Sequence, residues 1–110
     1  MAELLVSVVV STYNRPASLA RLLDSLRAQT LASDRFEVVV VDNGSGPDTA
    51  RTLEDELRRG GLVLITARHE LTRGPAGGRN AGWRLARAPL VAFTDDDCAP
   101  APGWLACALA

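Results

Sequence analysis

The pattern of apolar and polar positions predicts four strands that alternate with helices. The predicted strands are short, apolar and rich in β-branched residues, and they lie at residues 4–10, 36–41, 62–67 and 90–94. The second contains four consecutive valines, which is typical of a strand buried on both faces of a parallel sheet. None of these segments approaches the ~20 apolar residues that a membrane-spanning helix needs.

Leucines spaced three and four residues apart predict a first amphipathic helix, from residue 16 to about residue 29. The leucines of this stripe are Leu19, Leu22, Leu23 and Leu26. Pro16 suits the first turn of the helix because its missing N–H would have no partner there. A second helix is expected to begin at a cap formed by Asp48 or Thr49 and to end near residues 60–61. Leu53 and Leu57 are predicted to face the core.

The last two helices flank the fourth strand. A glycine-rich loop is predicted at 68–78, followed by a third helix at 80–88 that Pro89 ends. A final helix is predicted at 103–109. This order of elements is typical of an α/β fold with three α/β/α layers, in which helices cover both faces of a mostly parallel, Rossmann-like sheet.

Composition and charge exclude several classes of protein. Apolar residues make up 47% of the chain, enough to offset the ordering entropy that keeps disordered chains unfolded. The net charge of -1 argues against a nucleic-acid partner, because phosphate neutralisation needs an excess of basic residues. Cys98 and Cys107 lack the number and spacing of a disulfide scaffold or a zinc site, so we expect two reduced cysteines in a cytoplasmic protein.

Polar side chains follow the carboxyl end of every predicted strand, where open α/β sheets bind their ligands. They lie in four segments that should meet at one edge of the sheet, at residues 11–15, 42–45, 73–80 and 95–97. In the first segment, Tyr13 is suited to stack on a base and Arg15 to reach a phosphate. The alternative for both is a solvated loop.

Three adjacent aspartates, Asp95, Asp96 and Asp97, directly follow the fourth strand. Their carboxylates repel one another by about 1 kcal/mol per pair even in water at about 4 Å, and a divalent cation relieves this repulsion. Oxygen ligands of this kind suit Mg²⁺ or Mn²⁺. In an extended segment Asp95 and Asp97 point to one side and Asp96 to the other, so Asp95 and Asp97 are the predicted ligands. A solvated acidic loop or a helix cap is the alternative.

Two further charged residues at this edge each have a structural alternative. Asp42 ends the valine-rich strand, where it either accepts hydrogen bonds from a ribose or a base or closes the turn that follows. Arg79 lies within the segment 74–82, whose four glycines allow close approach of the backbone. It is suited to pair with a phosphate or with one of the acidic residues. The segment is not a Walker loop, because no Gly-Lys-Ser/Thr sequence follows it.

Four of these segments, in order and at fitting separations, resemble a known family. Residues 8–15 (VVVSTYNR), 40–45 (VVDNGS), 74–82 (GPAGGRNAG) and 93–97 (FTDDD) are similar to the nucleotide-binding, N-terminal half of glycosyltransferase family 2 enzymes with the GT-A fold. The resemblance implies that Asp95 and Asp97 form a DXD motif that holds Mg²⁺ or Mn²⁺. It also implies a set of residues that bind the nucleotide-sugar: Thr12, Tyr13, Arg15, Asp42, Arg79, Asp95 and Asp96.

The resemblance further implies an inverting hexosyltransferase. Its donor would be a UDP-, GDP- or dTDP-sugar, and its acceptor a saccharide, a lipid or a small molecule. The family's general base lies downstream of the DXD motif, and no carboxylate follows Asp97. We therefore expect residues 1–110 to be a single nucleotide-sugar-binding domain truncated at its C-terminus, inactive alone, with the base beyond residue 110.

The sequence also leads to expectations about the protein's location and assembly, and it leaves two alternative functions open. The full-length enzyme would lie in the cytoplasm or at the cytoplasmic face of a membrane, and an exposed sheet edge would favour a homo-oligomer. One alternative is a non-catalytic α/β module for nucleotide binding or oligomerisation. The other is a sugar nucleotidyltransferase, which needs a glycine-rich basic loop after the first strand, whereas residues 11–15 contain no glycine.

Overall fold

The computed structural model describes the backbone of residues 3–68 and 75–110 and the side chains of residues 3–68 and 79–110. Strands and helices alternate as predicted: β1 (Val6–Thr12), α1 (Pro16–Arg27), β2 (Phe36–Asp42), α2 (Pro47–Arg59), β3 (Val63–Arg68), α3 (Pro75–Leu85), β4 (Leu90–Asp95) and α4 (Trp104–Leu109). No helix in the described residues is long and apolar enough to cross a membrane.

The four strands form one parallel sheet in the order β3-β2-β1-β4. β1 extends two residues past the predicted end at residue 10, because Ser11 and Thr12 continue to pair with Val41 and Asp42 of β2. On the other side of β1, Ser11 pairs with Asp95. The carboxyl ends of these strands therefore meet at one edge of the sheet, which we call the carboxyl edge.

The core lies on both faces of the sheet. On one face, alternate valines of β1 and β2 pack against the leucine stripe of α1, Leu53 of α2 and Leu105 of α4. On the other face, Val9, Val39 and Val41 form a smaller cluster that Ala81 of α3 joins. The valines of both clusters are fully buried, which confirms that the valine-rich strand is covered on both faces.

The third helix begins at Pro75 rather than at residue 80, so the last residues of the predicted loop belong to α3; residues 69–74 lie outside the described part of the chain. The glycines of this segment favour a loop because glycine has a low helix propensity. Gly82, which lies within both the predicted and the observed helix, packs closely on the sheet. A Cβ atom at Gly82 would overlap Val9 Cγ1 and lie 3.1 Å from Val41 Cγ2.

The start and the inward face of α2 also differ from the prediction. Gly46 is the N-cap and Pro47 occupies the first turn, so neither Asp48 nor Thr49 caps the helix. Leu57 is 48% exposed, which makes its predicted place in the core wrong. Glu56 is buried instead, because its carboxylate pairs with the guanidinium of Arg27 on α1 at 3.1 Å.

A buried polar network attaches the end of α3 to the sheet, far from the carboxyl edge. Glu37 on β2 is 0% exposed. Its Oε2 accepts hydrogen bonds from Ser7 Oγ at 2.6 Å and from the backbone N–H of Arg87 at 2.7 Å. Its Oε1 accepts a third from Arg87 Nε at 2.8 Å. Because Arg87 lies just after α3, these bonds hold the chain that follows the helix against β2.

The close approach at Gly82 predicts the effect of adding one methyl group. We expect Gly82→Ala to destabilise the protein by about 1–3 kcal/mol, because the added carbon overpacks a filled contact. Gly103→Ala is the matched control, since a Cβ atom at Gly103 meets nothing within 4 Å. Urea unfolding measures both variants, and equal stabilities would contradict the packing described for α3.

The Glu37 network predicts a pH-dependent contribution to stability. Burial raises the pKa of Glu37, but hydrogen bonds from Ser7 and Arg87 and the charge of Arg87 lower it by more, so the pKa falls below its ordinary value of 4.5. The carboxylate therefore stabilises the fold fully above the unfolded-state pKa, and this contribution is lost as the pH falls through the lower folded-state pKa.

Glu37→Gln removes this titration. We expect the variant to be less stable by about 1–3 kcal/mol at neutral pH, because a hydrogen-bonded buried charge is lost. The difference from the unsubstituted protein should shrink on acidification to about pH 3. Urea unfolding across this pH range measures it, and a pH-independent difference would show that Glu37 does not titrate as described.

Candidate functional site

Two loops at the carboxyl edge are joined by reciprocal hydrogen bonds. The β1–α1 loop contains Asn14, whose backbone N–H donates to Ser45 Oγ in the β2–α2 loop at 2.8 Å. Asn14 Oδ1 in turn accepts from the backbone N–H of Gly46 at 2.8 Å. Asn14 has a φ of 52°, in the left-handed region that asparagine tolerates better than most residues. This pair of bonds fixes the position of the neighbouring residues Tyr13 and Arg15.

Asp42 lies inside this junction and is 5% exposed. Its Oδ1 accepts a hydrogen bond from the backbone N–H of Ser45 at 2.8 Å, and its Oδ2 lies 3.8 Å from a guanidinium nitrogen of Arg68. Asp42 therefore closes the turn after β2, which is the structural alternative considered for it. Contact between Asp42 and a base stays a prediction.

Asn43 is a residue of this edge that the sequence did not single out. Its Nδ2 donates to Ser11 Oγ at 2.5 Å, across the pairing of β2 with β1. Its Oδ1 is buried and has no hydrogen-bond partner within the described residues. A buried acceptor without a partner is costly, so this oxygen is an unsatisfied polar group at the carboxyl edge. In the sequence, the only indication of a role for Asn43 is its position directly after the predicted second strand.

Asp96, the middle aspartate of the triplet, is buried, whereas its two neighbours Asp95 and Asp97 are exposed. Asp96 is 7% exposed, and its Oδ2 accepts a hydrogen bond from Thr12 Oγ1 at 2.9 Å. Thr12 is 2% exposed, so its hydroxyl faces Asp96 and not the open edge. Arg15 NH1 lies 3.5 Å from Asp96 Oδ1 and 3.6 Å from Asp97 Oδ2. Arg15 thus connects the β1–α1 loop to the acidic turn after β4.

Asp95 and Asp97 are exposed and lie on the same side, as the sequence predicted. Together with Cys98 they offer three ligand atoms within 4.8 Å of one another. Two carboxylates at this separation fit a divalent cation of the hard, oxygen-preferring class, which includes Mg²⁺ and Mn²⁺. Cys98 adds a softer sulfur ligand that the sequence did not suggest. The two carboxylates therefore lie close enough to share one cation, and their role as metal ligands stays a prediction.

An open groove of about 540 Å³ lies beside this acidic group. It extends along the end of β4 towards α4, and Arg79 of α3 borders it. The other lining residues are Phe93, Thr94, Asp95, Cys98, Ala99, Pro100 and Trp104. Arg79 places a positive charge beside the groove that also contains Asp95. The groove thus combines an acidic group that could hold a cation, an arginine and apolar walls, which suits a ligand with both an anionic and an apolar part.

Two solved glycosyltransferase structures are similar to this chain. The structure of S. aureus TarS residues 1–349 in complex with UDP-GlcNAc superposes with a TM-score of 0.87 and 34% identity over 96% of this chain and 30% of that chain. The mannosyltransferase PcManGT of Pyrobaculum calidifontis, in complex with GDP-Man and Mn²⁺, gives a TM-score of 0.86 and 31% identity over 96% and 31%. The α/β fold of the GT-A class is therefore confirmed.

Sequence comparison identifies the family. Residues 7–109 match the profile of glycosyl transferase family 2, and the chain belongs to this family. Validoxylamine A glucosyltransferase of Streptomyces hygroscopicus subsp. limoneus is 43% identical over 109 residues, which cover 96% of this chain and 23% of that protein. Glycosyltransferase AglE of Haloferax volcanii is 32% identical over 106 residues, or 91% and 33% of the two proteins. The chain spans a quarter to a third of the length of these relatives.

The junction at Asn14 predicts two different losses of stability. Asn14→Ala and Asn14→Gly both remove the acceptor for the Gly46 N–H, but only alanine also carries a Cβ atom into the left-handed region. We expect the alanine variant to be less stable than the glycine variant by about 1–2 kcal/mol. Thermal or urea unfolding measures the difference, and an alanine variant as stable as the glycine variant would contradict the backbone geometry.

Proposed function

We propose that this chain is the donor-binding part of an inverting glycosyltransferase that binds a nucleoside-diphosphate sugar through a divalent cation. The observation that carries the proposal is the pair Asp95 and Asp97, whose carboxylates converge at the carboxyl edge beside Arg79. Membership of glycosyl transferase family 2 supports it. So do the nucleotide-sugars in TarS and PcManGT, and the Mn²⁺ in the latter.

Asp97 and Asp95 would hold the cation, as Mg²⁺ or Mn²⁺. Such a cation supplies charge neutralisation to a diphosphate and acts as a Lewis acid towards the leaving group. Arg79 borders the groove, and Arg15 lies beside the acidic turn, 3.6 Å from Asp97. Both guanidinium groups are suited to bind phosphate oxygens.

The β1–α1 and β2–α2 loops would bind the nucleoside. Tyr13 is exposed, and its ring is suited to stack on a base. Asp42 and Asn43 lie at the end of β2, and the unpartnered Oδ1 of Asn43 is suited to accept a hydrogen bond from a base N–H. Thr12 and Asp96 are buried against each other and would support this site from beneath. UDP, GDP and dTDP all remain candidate nucleotides.

Transfer requires a base that deprotonates the acceptor hydroxyl. We assign this base, together with the site for a saccharide, lipid or small-molecule acceptor, to polypeptide beyond residue 110. The 110 residues then bind the donor but do not transfer the sugar alone. We place the enzyme in the cytoplasm or at the cytoplasmic face of a membrane.

Metal-dependent nucleotide binding tests the proposal. We expect calorimetry with at least one of UDP, GDP and dTDP to show binding in the presence of Mn²⁺ and little or none after chelation. Asp97→Asn should weaken this binding by about tenfold or more, or about 1.4 kcal/mol or more. Asp55→Asn is the matched control, because Asp55 is an exposed carboxylate on α2, outside the site.

Two outcomes would contradict the proposal. A folded protein that binds none of the three nucleotides with Mn²⁺ would support a non-catalytic oligomerisation module instead. Equal losses in the Asp97 and Asp55 variants would show that the acidic turn is not the binding site.

A further inference from the structure

We propose that Asp96 is a positioning residue, which holds the turn after β4 against the end of β1 so that Asp95 and Asp97 face the groove together. The inference rests on the proposed function, because it assigns Asp96 a part in metal binding without contact to the metal or the nucleotide. Thr12 is the second member of this arrangement, through its hydrogen bond to Asp96.

The sheet register brings the two residues together. β1 and β4 pair in parallel up to Ser11 and Asp95, so Thr12 and Asp96 are the next residues along the two chains. The hydroxyl of Thr12 donates to Asp96 Oδ2 at 2.9 Å, and both residues are buried. A carboxylate buried at this place needs hydrogen bonds to offset its loss of hydration, and the hydroxyl supplies one.

The inward direction of Asp96 determines where its neighbours point. The chain turns after Asp95, and the backbone N–H of Cys98 donates to the carbonyl oxygen of Asp95 at 3.2 Å. With the middle side chain fixed beneath this turn, the two flanking carboxylates are exposed and their oxygens converge within the ligand group. Release of Asp96 would free the turn to rotate and would separate the two carboxylates.

Charge supports the same role. Three adjacent carboxylates repel one another, and the guanidinium of Arg15 lies between two of them, 3.5 Å from Asp96 and 3.6 Å from Asp97. The Thr12 hydroxyl and Arg15 therefore both hold the Asp96 side chain inward. Groups that orient metal ligands in this way typically change metal affinity by about 10–100-fold when they are removed.

Thr12 variants test this role while leaving every carboxylate in place. Thr12→Val keeps the shape of the side chain but loses the hydroxyl, and Thr12→Ser keeps the hydroxyl. We expect the valine variant to bind Mn²⁺ about tenfold more weakly in the absence of nucleotide, and the serine variant to bind within about twofold of the unsubstituted protein. Calorimetry or the electron paramagnetic resonance signal of free Mn²⁺ measures the Kd.

Ser7→Ala provides the matched control. Ser7 is also a β1 residue whose hydroxyl donates to a buried carboxylate, Glu37, but at the opposite end of the sheet. Its loss should lower the melting temperature and leave the Kd for Mn²⁺ unchanged. Thr12→Ala is the second variant that removes the Thr12 hydroxyl, and it is used if the valine variant does not fold.

The outcomes separate this inference from the proposed function. An unsubstituted protein that is folded but binds no Mn²⁺, alone or with nucleotide, would overturn both. A protein that binds Mn²⁺ equally well with valine or alanine and with serine at residue 12 would overturn the positioning role alone. A loss confined to the melting temperature would assign Thr12 and Asp96 to folding only.

Discussion

The parallel pairing of β1 with β4 is the constraint on which the site depends. These strands are far apart in sequence, yet their register aligns Ser11 with Asp95 and so places the β1–α1 loop beside the acidic turn. The parallel pairing of β1 with β2 adds the β2–α2 loop at the same edge. Polar side chains from three loops therefore lie close together, because each loop directly follows a strand that ends at the carboxyl edge.

Buried polar groups give this sheet its fixed geometry at both ends. At the carboxyl edge, the carboxylate of Asp96 is held by Thr12 and Arg15. At the other end, Glu37 accepts hydrogen bonds from Ser7 and Arg87, which fix the chain directly after α3. An apolar core fills the space between them but does not by itself choose one orientation, whereas a buried carboxylate tolerates only the arrangement that satisfies its hydrogen bonds. We infer that the orientation of Asp95 and Asp97 depends on the polar contacts of Asp96.

The alternation of elements, the doubly covered valine strand and the proximity of the Asp95 and Asp97 carboxylates could be predicted from the sequence. They depend on local periodicity and on the rule that parallel strand ends share an edge. The beginning of α3 could not, because the glycines before residue 79 are typical of a loop. The contact of Gly82 with Val9 could not be predicted either, because it depends on how α3 packs on the sheet.

The partners of individual polar residues were also beyond prediction. Glu56, and not Leu57, faces inward on α2. This arrangement depends on an ion pair with Arg27, which lies on another helix. The bond between Thr12 and Asp96 and the unpartnered oxygen of Asn43 depend on sheet register. A single sequence shows that these residues lie at strand ends. It does not show which strands are neighbours in the sheet, and therefore it does not show which of these residues meet.

Paramagnetic broadening of backbone amide resonances tests most directly whether the carboxyl edge is the metal and nucleotide site. With substoichiometric Mn²⁺ and UDP or GDP, we expect selective loss of the signals of residues 95–98 and of Tyr13 and Arg15. Signals of Glu37 and Arg87, about 13 Å or more away along the strands, should persist. Broadening centred on the acidic residues of α2, or spread evenly over the protein, would show that the carboxyl edge is not the metal and nucleotide site.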